Sequence, residues 1–188
     1  MSIANHVDVT LAETVQDEIG MSVNHCYQCG KCSAGCPAAN EMDFAPSIIM
    51  RLLQTREAAS EMKILGSYTI WLCLACHTCD ARCPMDVDLP RIMDILRAES
   101  LRRKVVHRGA RDIIAFHKSF LHTIRHFGRM WEVGLVAGYK LRTRHFWQDI
   151  VLAPLMLKKG KLALLPSYHK KLSSRFFSNA GREVEQPK

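Results

Sequence analysis

Cys26-Tyr27-Gln28-Cys29-Gly30-Lys31-Cys32-Ser33-Ala34-Gly35-Cys36-Pro37 decides how the chain is read, because its pattern returns as Cys73-Leu74-Ala75-Cys76-His77-Thr78-Cys79-Asp80-Ala81-Arg82-Cys83-Pro84. Both stretches follow C-x2-C-x2-C-x3-C-P, every cysteine is offset from its counterpart by 47 residues, and together they hold all eight cysteines of the 188-residue chain. This is the ligand spacing of two [4Fe–4S] clusters. Three cysteines two residues apart wrap three corners of one cube. The fourth lies beyond reach of that cube and ligates the other one. The expected ligand sets are therefore crossed: Cys26, Cys29, Cys32 and Cys83 for cluster one, and Cys73, Cys76, Cys79 and Cys36 for cluster two. The proline after each fourth cysteine restricts the backbone as the chain leaves the loop. Gly30 is free to adopt a positive φ in the first loop. His77 holds the equivalent position without that freedom, so the two loops need not be identical.

Other uses of eight thiols fit less well. Structural zinc takes two C-x2-C pairs, not two runs of four. Disulfides need an oxidising compartment. Residues 1–25 carry no basic segment followed by an apolar run, which predicts no secretory signal and a cytoplasmic location. No apolar run approaches a membrane span.

The net charge of +8 conceals a division. Residues 1–100 hold 7 Lys/Arg against 13 Asp/Glu, and residues 101–188 hold 19 against 5. Ten of the 14 aromatic residues lie in the second part, all the cysteines in the first. Two domains follow: an acidic cluster-binding domain over 1–105, and a basic, aromatic-rich helical extension over 106–188 that serves partner docking and ends in a flexible tail from about residue 178. A charge asymmetry of this kind marks an interaction surface.

Around the clusters the local signals are helical. Thr10-Leu11-Ala12-Glu13 is a capping box and Gly20 a stop, predicting a helix from about 11 to 20. Pro46 suits a first helical position before Ile48, Ile49, Leu52 and Leu53, with the helix ending near Ala59. Ser67 is expected to cap a turn carrying Ile70, Trp71 and Leu72 into the second motif. Asp88 is expected to cap a helix whose stripe is Leu89, Ile92, Met93 and Leu96. Period-two alternation is scarce, and the 36 residues between Cys36 and Cys73 leave room for helices in place of a small sheet.

In the extension, residues 108–131 read as one helix. Ile113, Phe116, Phe120, Ile124, Phe127 and Trp131 share one face; Arg111, Lys118, His122, Arg125 and Arg129 lie opposite. This is an amphipathic helix whose basic face is solvated or meets an acidic partner. Peripheral membrane contact and nucleic-acid binding are the weaker readings, the latter without any recognisable motif. Phe146, Trp147 and Leu162–Leu165 exceed what so short a tail buries alone. His122 and His126 stand at i, i+4 with no third ligand in view. His25 and His77 flank cluster cysteines, Lys31 and Arg82 carry positive charge beside them, and Tyr27 and Trp71 are expected to shield them from water.

The stretch from His25 to Pro37, with Trp71-Leu72-Cys73-Leu74-Ala75-Cys76 and Cys83-Pro84-Met85-Asp86-Val87-Asp88, resembles the two-cluster electron-transfer subunit of the heterodisulfide reductases, their C subunit. The resemblance covers residues 8–105. It continues more loosely through Gly138-Tyr139-Lys140-Leu141-Arg142-Thr143 and Gly160-Lys161-Leu162-Ala163-Leu164-Leu165-Pro166. It implies an all-α, α-helical ferredoxin-like fold and a non-catalytic electron-transfer role between a flavin subunit and a disulfide-reducing subunit. The chain lacks the Cys-Cys-Gly elements of that family's catalytic subunit and a G-x-G-x-x-G nucleotide fingerprint. Similar cysteine motifs occur in iron–sulfur subunits of flavin-dependent hydroxy-acid and dicarboxylate dehydrogenases, which stands as the alternative, beside a free ferredoxin-like carrier. The wording Tyr27-Gln28-Cys29-Gly30-Lys31-Cys32, the length and the basic tail favour the heterodisulfide reductase likeness.

Overall fold

The computed structural model describes residues 9–144 and the pair 158–159. These residues hold helices and turns and no strand. They fall into two units, one ending at Ala110 and one beginning at Arg111. Trp147, Phe146, Leu162–Leu165, the Gly160–Pro166 likeness and the expected tail from 178 lie outside the described residues.

In the first unit the apolar spacing becomes a small helical core. Helix α1 (Leu11–Ile19) opens on the expected capping box, with the Thr10 hydroxyl accepting from Glu13 N–H and Glu13 accepting in return, and closes on Gly20 at φ 76°. Helix α2 (Lys31–Ala34) lies inside the first motif. Helix α3 (Pro46–Thr55) begins with proline at its first position. It stops earlier than the sequence suggests, because Arg56 turns left-handed at φ 54°. A separate helix α4 (Ala58–Leu65) follows, with no side-chain cap to announce it. Helix α5 (Thr69–Leu72) leads into the second motif, which contains α6 (Thr78–Ala81). Helix α7 (Leu89–Arg102) starts where Asp88 accepts from Arg91 N–H, as its cap signal predicts.

Helices α1, α3, α4 and α7 pack on one another, and their stripes close the core. Leu11, Val15, Ile49, Met50, Leu53, Ile64, Leu65, Met93 and Leu96 are fully buried, joined by Ile70 from α5. Each such side chain contributes about 1.5–3 kcal/mol through removal from water. A polar brace crosses the same helices. Glu99 of α7, only 7% exposed, pairs with Arg103 at 2.5 Å; Arg103 reaches Glu61 of α4 at 3.0 Å; and Glu61 accepts from Leu11 N–H of α1 at 2.6 Å. The Arg102 bonds, together with those of Arg103, hold the Glu99 carboxyl below its ordinary value.

The second unit contains α8 (Arg111–Phe127) and α9 (Glu132–Thr143), packed on each other. The single helix expected over 108–131 is shorter. Gly128 takes φ 80° and ends it, and Trp131 becomes the residue that opens α9. The buried positions of α8 are Ser119 and Thr123, whose hydroxyls bond back to carbonyls of their own helix. Gly138 of α9 sits against Ser119, where an added Cβ would meet Ser119 Cβ at 3.3 Å. The two helices thus approach through small residues, while Phe116 remains 45% exposed.

Candidate iron–sulfur centres

The two motifs share their backbone turns, although His77 stands where the first has Gly30. Gln28 and Ala75, 47 residues apart, are both left-handed at φ 64° and 49°. Gly30 and His77, again 47 apart, are left-handed at 77° and 57°. Each of the latter pair precedes a single helical turn, α2 or α6. A left-handed residue followed by a right-handed one turns successive backbone N–H groups to the same side, a nest suited to an anion. For His77 this conformation costs about 1–2 kcal/mol, and its neighbours in the motif must supply that.

Long helices fix the entrance to each motif. Gln54 of α3 donates from Nε2 to the carbonyls of Val23 and Cys26, at 3.0 and 2.7 Å. Arg97 of α7 does the same for the second motif, donating from Nε to Ile70 C=O at 2.5 Å and from Nη2 to Cys73 C=O. The start of α5 is held from the first motif's side of the chain. Asp43 accepts from Tyr68 N–H and Thr69 N–H, each at 2.8 Å, and from the Thr69 hydroxyl at 2.5 Å. Burial alone would raise the Asp43 carboxyl; these hydrogen bonds outweigh it and hold it below its ordinary value. Ser67, expected to be the cap, instead donates back to Ile64 C=O at 2.7 Å.

All eight cysteines are free thiols. They line two open cavities. The first is lined by Cys73, Cys76, Cys79 and Cys36, with an apolar wall that includes Leu74, Leu89 and Met93. The second is lined by Cys26, Cys29, Cys32, Cys83 and Cys79, with Met50 and Val87 in its wall. Among the described residues no three His, Cys, Asp or Glu side chains converge as on one metal ion. The thiols stand around a space, as a four-iron cube requires. Burial pushes the Cys79 thiol up to about 11 and raises Cys32, whereas the Thr78 hydroxyl, 3.4 Å from Cys76 Sγ, lowers Cys76. Iron takes thiolates, so bound metal offsets the burial penalty at Cys32 and Cys79. Val87 N–H donates to Cys83 Sγ at 3.3 Å, a bond of the kind that tunes cluster potential.

The other residues singled out by sequence take varied places. Cys29 and Cys76 are the exposed cysteines, and each lies close to an exposed apolar side chain at equivalent positions, Tyr27 (58%) and Leu74 (70%). Tyr27 is therefore at the surface. Trp71 is buried at 6%, its indole N–H without a hydrogen-bond partner. His25 is exposed, and the His77 ring faces Asp80 at 3.6 Å; neither donates to a sulfur among the described residues. Lys31 is exposed, and the Arg82 side chain crosses over Gly35, where a Cβ would meet Nη1 at 2.7 Å. His122 and His126 stack at 4.1 Å, and burial, then His126 and Arg142, lower the His122 pKa. Gln54, Arg97 and Asp43 escaped the sequence reading, since each acts on backbone more than 20 residues away.

Residues 22–87 match a 4Fe-4S dicluster domain, which with eight cysteines defines an iron–sulfur protein carrying the ligands of two [4Fe–4S] clusters. The chain is similar to the C subunits of the heterodisulfide reductases. It is 33% identical over 101 residues to the ferredoxin:CoB-CoM heterodisulfide reductase C subunit of Methanosarcina acetivorans, covering 51% of this chain and 39% of that protein. It is 36% identical over 83 residues to the iron-sulfur C subunit of the CoB–CoM heterodisulfide reductase of Methanopyrus kandleri, covering 44% and 40%. It is 28% identical over 108 residues to the corresponding C 2 subunit of Methanocaldococcus jannaschii, covering 57% and 56%. The chain thus spans between 39% and 56% of these relatives' lengths. No helix of the described residues is long and apolar enough to cross a membrane.

Proposed function

We infer that this chain is the electron-transfer subunit of a soluble, cytoplasmic heterodisulfide-reductase-like complex, passing single electrons from a flavin-containing subunit to a disulfide-reducing subunit. The observation carrying this reading is the pair of cavities, each lined by three thiols of one motif and the fourth of the other, the second also touched by Cys79. We assign Cys26, Cys29, Cys32 and Cys83 to one cluster and Cys73, Cys76, Cys79 and Cys36 to the second. When bound, such clusters supply one-electron redox chemistry. The chain's own residues do the rest. Gln54 and Arg97 hold the first ligand of each motif, the apolar walls limit water, and exposed Cys29 and Cys76 bring each site to the surface for exchange with a partner.

Single-electron carriage is what a two-electron flavin and a two-electron disulfide need between them. Relatives named as heterodisulfide reductase subunits favour this reading over a dehydrogenase subunit. The test is isolation of the native complex. A flavoprotein and a disulfide-reducing protein recovered with the chain in fixed ratio support the reading. Disulfide reduction by the loaded chain alone, or recovery with a hydroxy-acid dehydrogenase, refutes it.

A further inference from the structure

The two motifs share backbone conformation and cysteine spacing, but their clamps differ in charge. Gln54, neutral, donates to Cys26 C=O; Arg97, cationic, donates to Cys73 C=O, the residue 47 positions on. Both clamps come from the long helix that follows the motif, and both also bind the carbonyl three residues before the cysteine, Val23 and Ile70. A neutral amide and a guanidinium thus occupy equivalent places. We propose that Arg97 sets the potential of the cluster held by Cys73, Cys76, Cys79 and Cys36, raising it by its charge and so biasing a shared electron toward that site. This rests on the two-cluster reading above.

An all-cysteine [4Fe–4S] centre carries a net charge of −2 and gains one more on reduction, so a fixed cation beside a ligand favours the reduced form. Arg97 is suited to this. Its side chain is 19% exposed, and its fork is fixed by two carbonyls and by Asp94 at 2.7 Å. Other charges by the motifs are less effective. Lys31 and Arg82 are exposed and screened by water. Asp80, 40% exposed, opposes Arg97 on the second motif, and Asp94, 64% exposed, partly offsets it. Burial makes the guanidinium the least screened cation at either motif.

The test is an anaerobic redox titration of the full, cluster-loaded chain, with dithionite as the electron source and EPR as the readout. The second-motif centre is identified as the signal that Cys73→Ala removes. Arg97→Gln, which copies the Gln54 clamp, should lower that centre's potential by at least 59 mV, a tenfold change in a one-electron equilibrium. The first-motif centre should stay where it is. Arg97→Lys should restore at least half of the shift, because it returns the charge without the fork. Asp94→Asn, at an exposed position, should raise the same potential and keeps the test decisive if Arg97→Gln fails to bind its iron. No shift in Asp94→Asn and Arg97→Gln, or equal shifts at both centres, overturns the proposal. Iron for fewer than two clusters in the unmutated chain overturns the underlying cluster reading instead.

Discussion

Removing the Asp43 carboxylate should loosen the second motif while leaving every cysteine in place. The carboxylate accepts three hydrogen bonds at the start of α5, and Thr69, which supplies two of them, is fully buried. Hydrogen bonds to a charged group are worth about 1.5–3 kcal/mol each, but Asp43 itself is exposed and water screens part of that. Asp43→Ala leaves two N–H groups without their acceptor, while the Thr69 hydroxyl keeps Phe44 C=O, for a loss of about 3 kcal/mol. In a unit of this size that lowers Tm by roughly 10–15 °C. Asp43→Asn keeps one oxygen and should lose about half as much. The wild-type contribution belongs to the ionised form, whose pKa is lowered in the folded state. It is therefore complete above the unfolded pKa of about 4 and disappears as pH falls through the folded value. Urea unfolding of the full chain between pH 3 and 7, with iron release to a chelator measured at neutral pH, reads both effects. Asp43→Ala should release iron faster, and its deficit should shrink below about pH 4. An Asp43→Ala chain within about 0.5 kcal/mol of wild type at pH 7 refutes the reasoning, as does a deficit unchanged at pH 3.

Glu99→Ala should destabilise the first unit by about 2–4 kcal/mol in urea titrations, because it leaves Arg103 with Glu61 alone in a mostly buried position. Gly30→Ala should cost about 1 kcal/mol from backbone strain only, since no atom lies within 4 Å of the added Cβ. His77→Gly, at the equivalent left-handed position, should stabilise by a few tenths to about 1 kcal/mol; opposite signs in the two unfolding curves check the shared loop conformation.

What the sequence made legible, and what it hid, divides by the range of the interaction. The cysteine runs were readable because ligand spacing is written locally. The same holds for the Thr10–Glu13 box and the Asp88 cap, where donor and acceptor are three residues apart. The end of α3 is hidden because Arg56 carries no stop signal; its left-handed turn lets α4 pack beside α3. Ser67 is a good cap by type but its hydroxyl is used elsewhere, and the true cap, Asp43, lies 26 residues from Thr69. His77 shows tertiary context overriding residue preference, as the second motif imposes on it the conformation that Gly30 adopts freely. Gly128 was a visible stop signal, outweighed by an apolar stripe that ran on past it to Trp131.

Crossed ligation is the claim on which the two-cluster reading rests, and counting intact four-iron centres in paired cysteine variants tests it most directly. Cys83→Ala should remove one centre. Combined with Cys26→Ala it should remove no more, because both residues serve the same cluster and their losses do not add. Combined with Cys73→Ala it should leave none. Mössbauer and EPR quantitation on the full chain would read this. The opposite pattern, with one centre surviving in Cys83→Ala/Cys73→Ala and none in Cys83→Ala/Cys26→Ala, would show that each motif holds its own cluster and contradict the account.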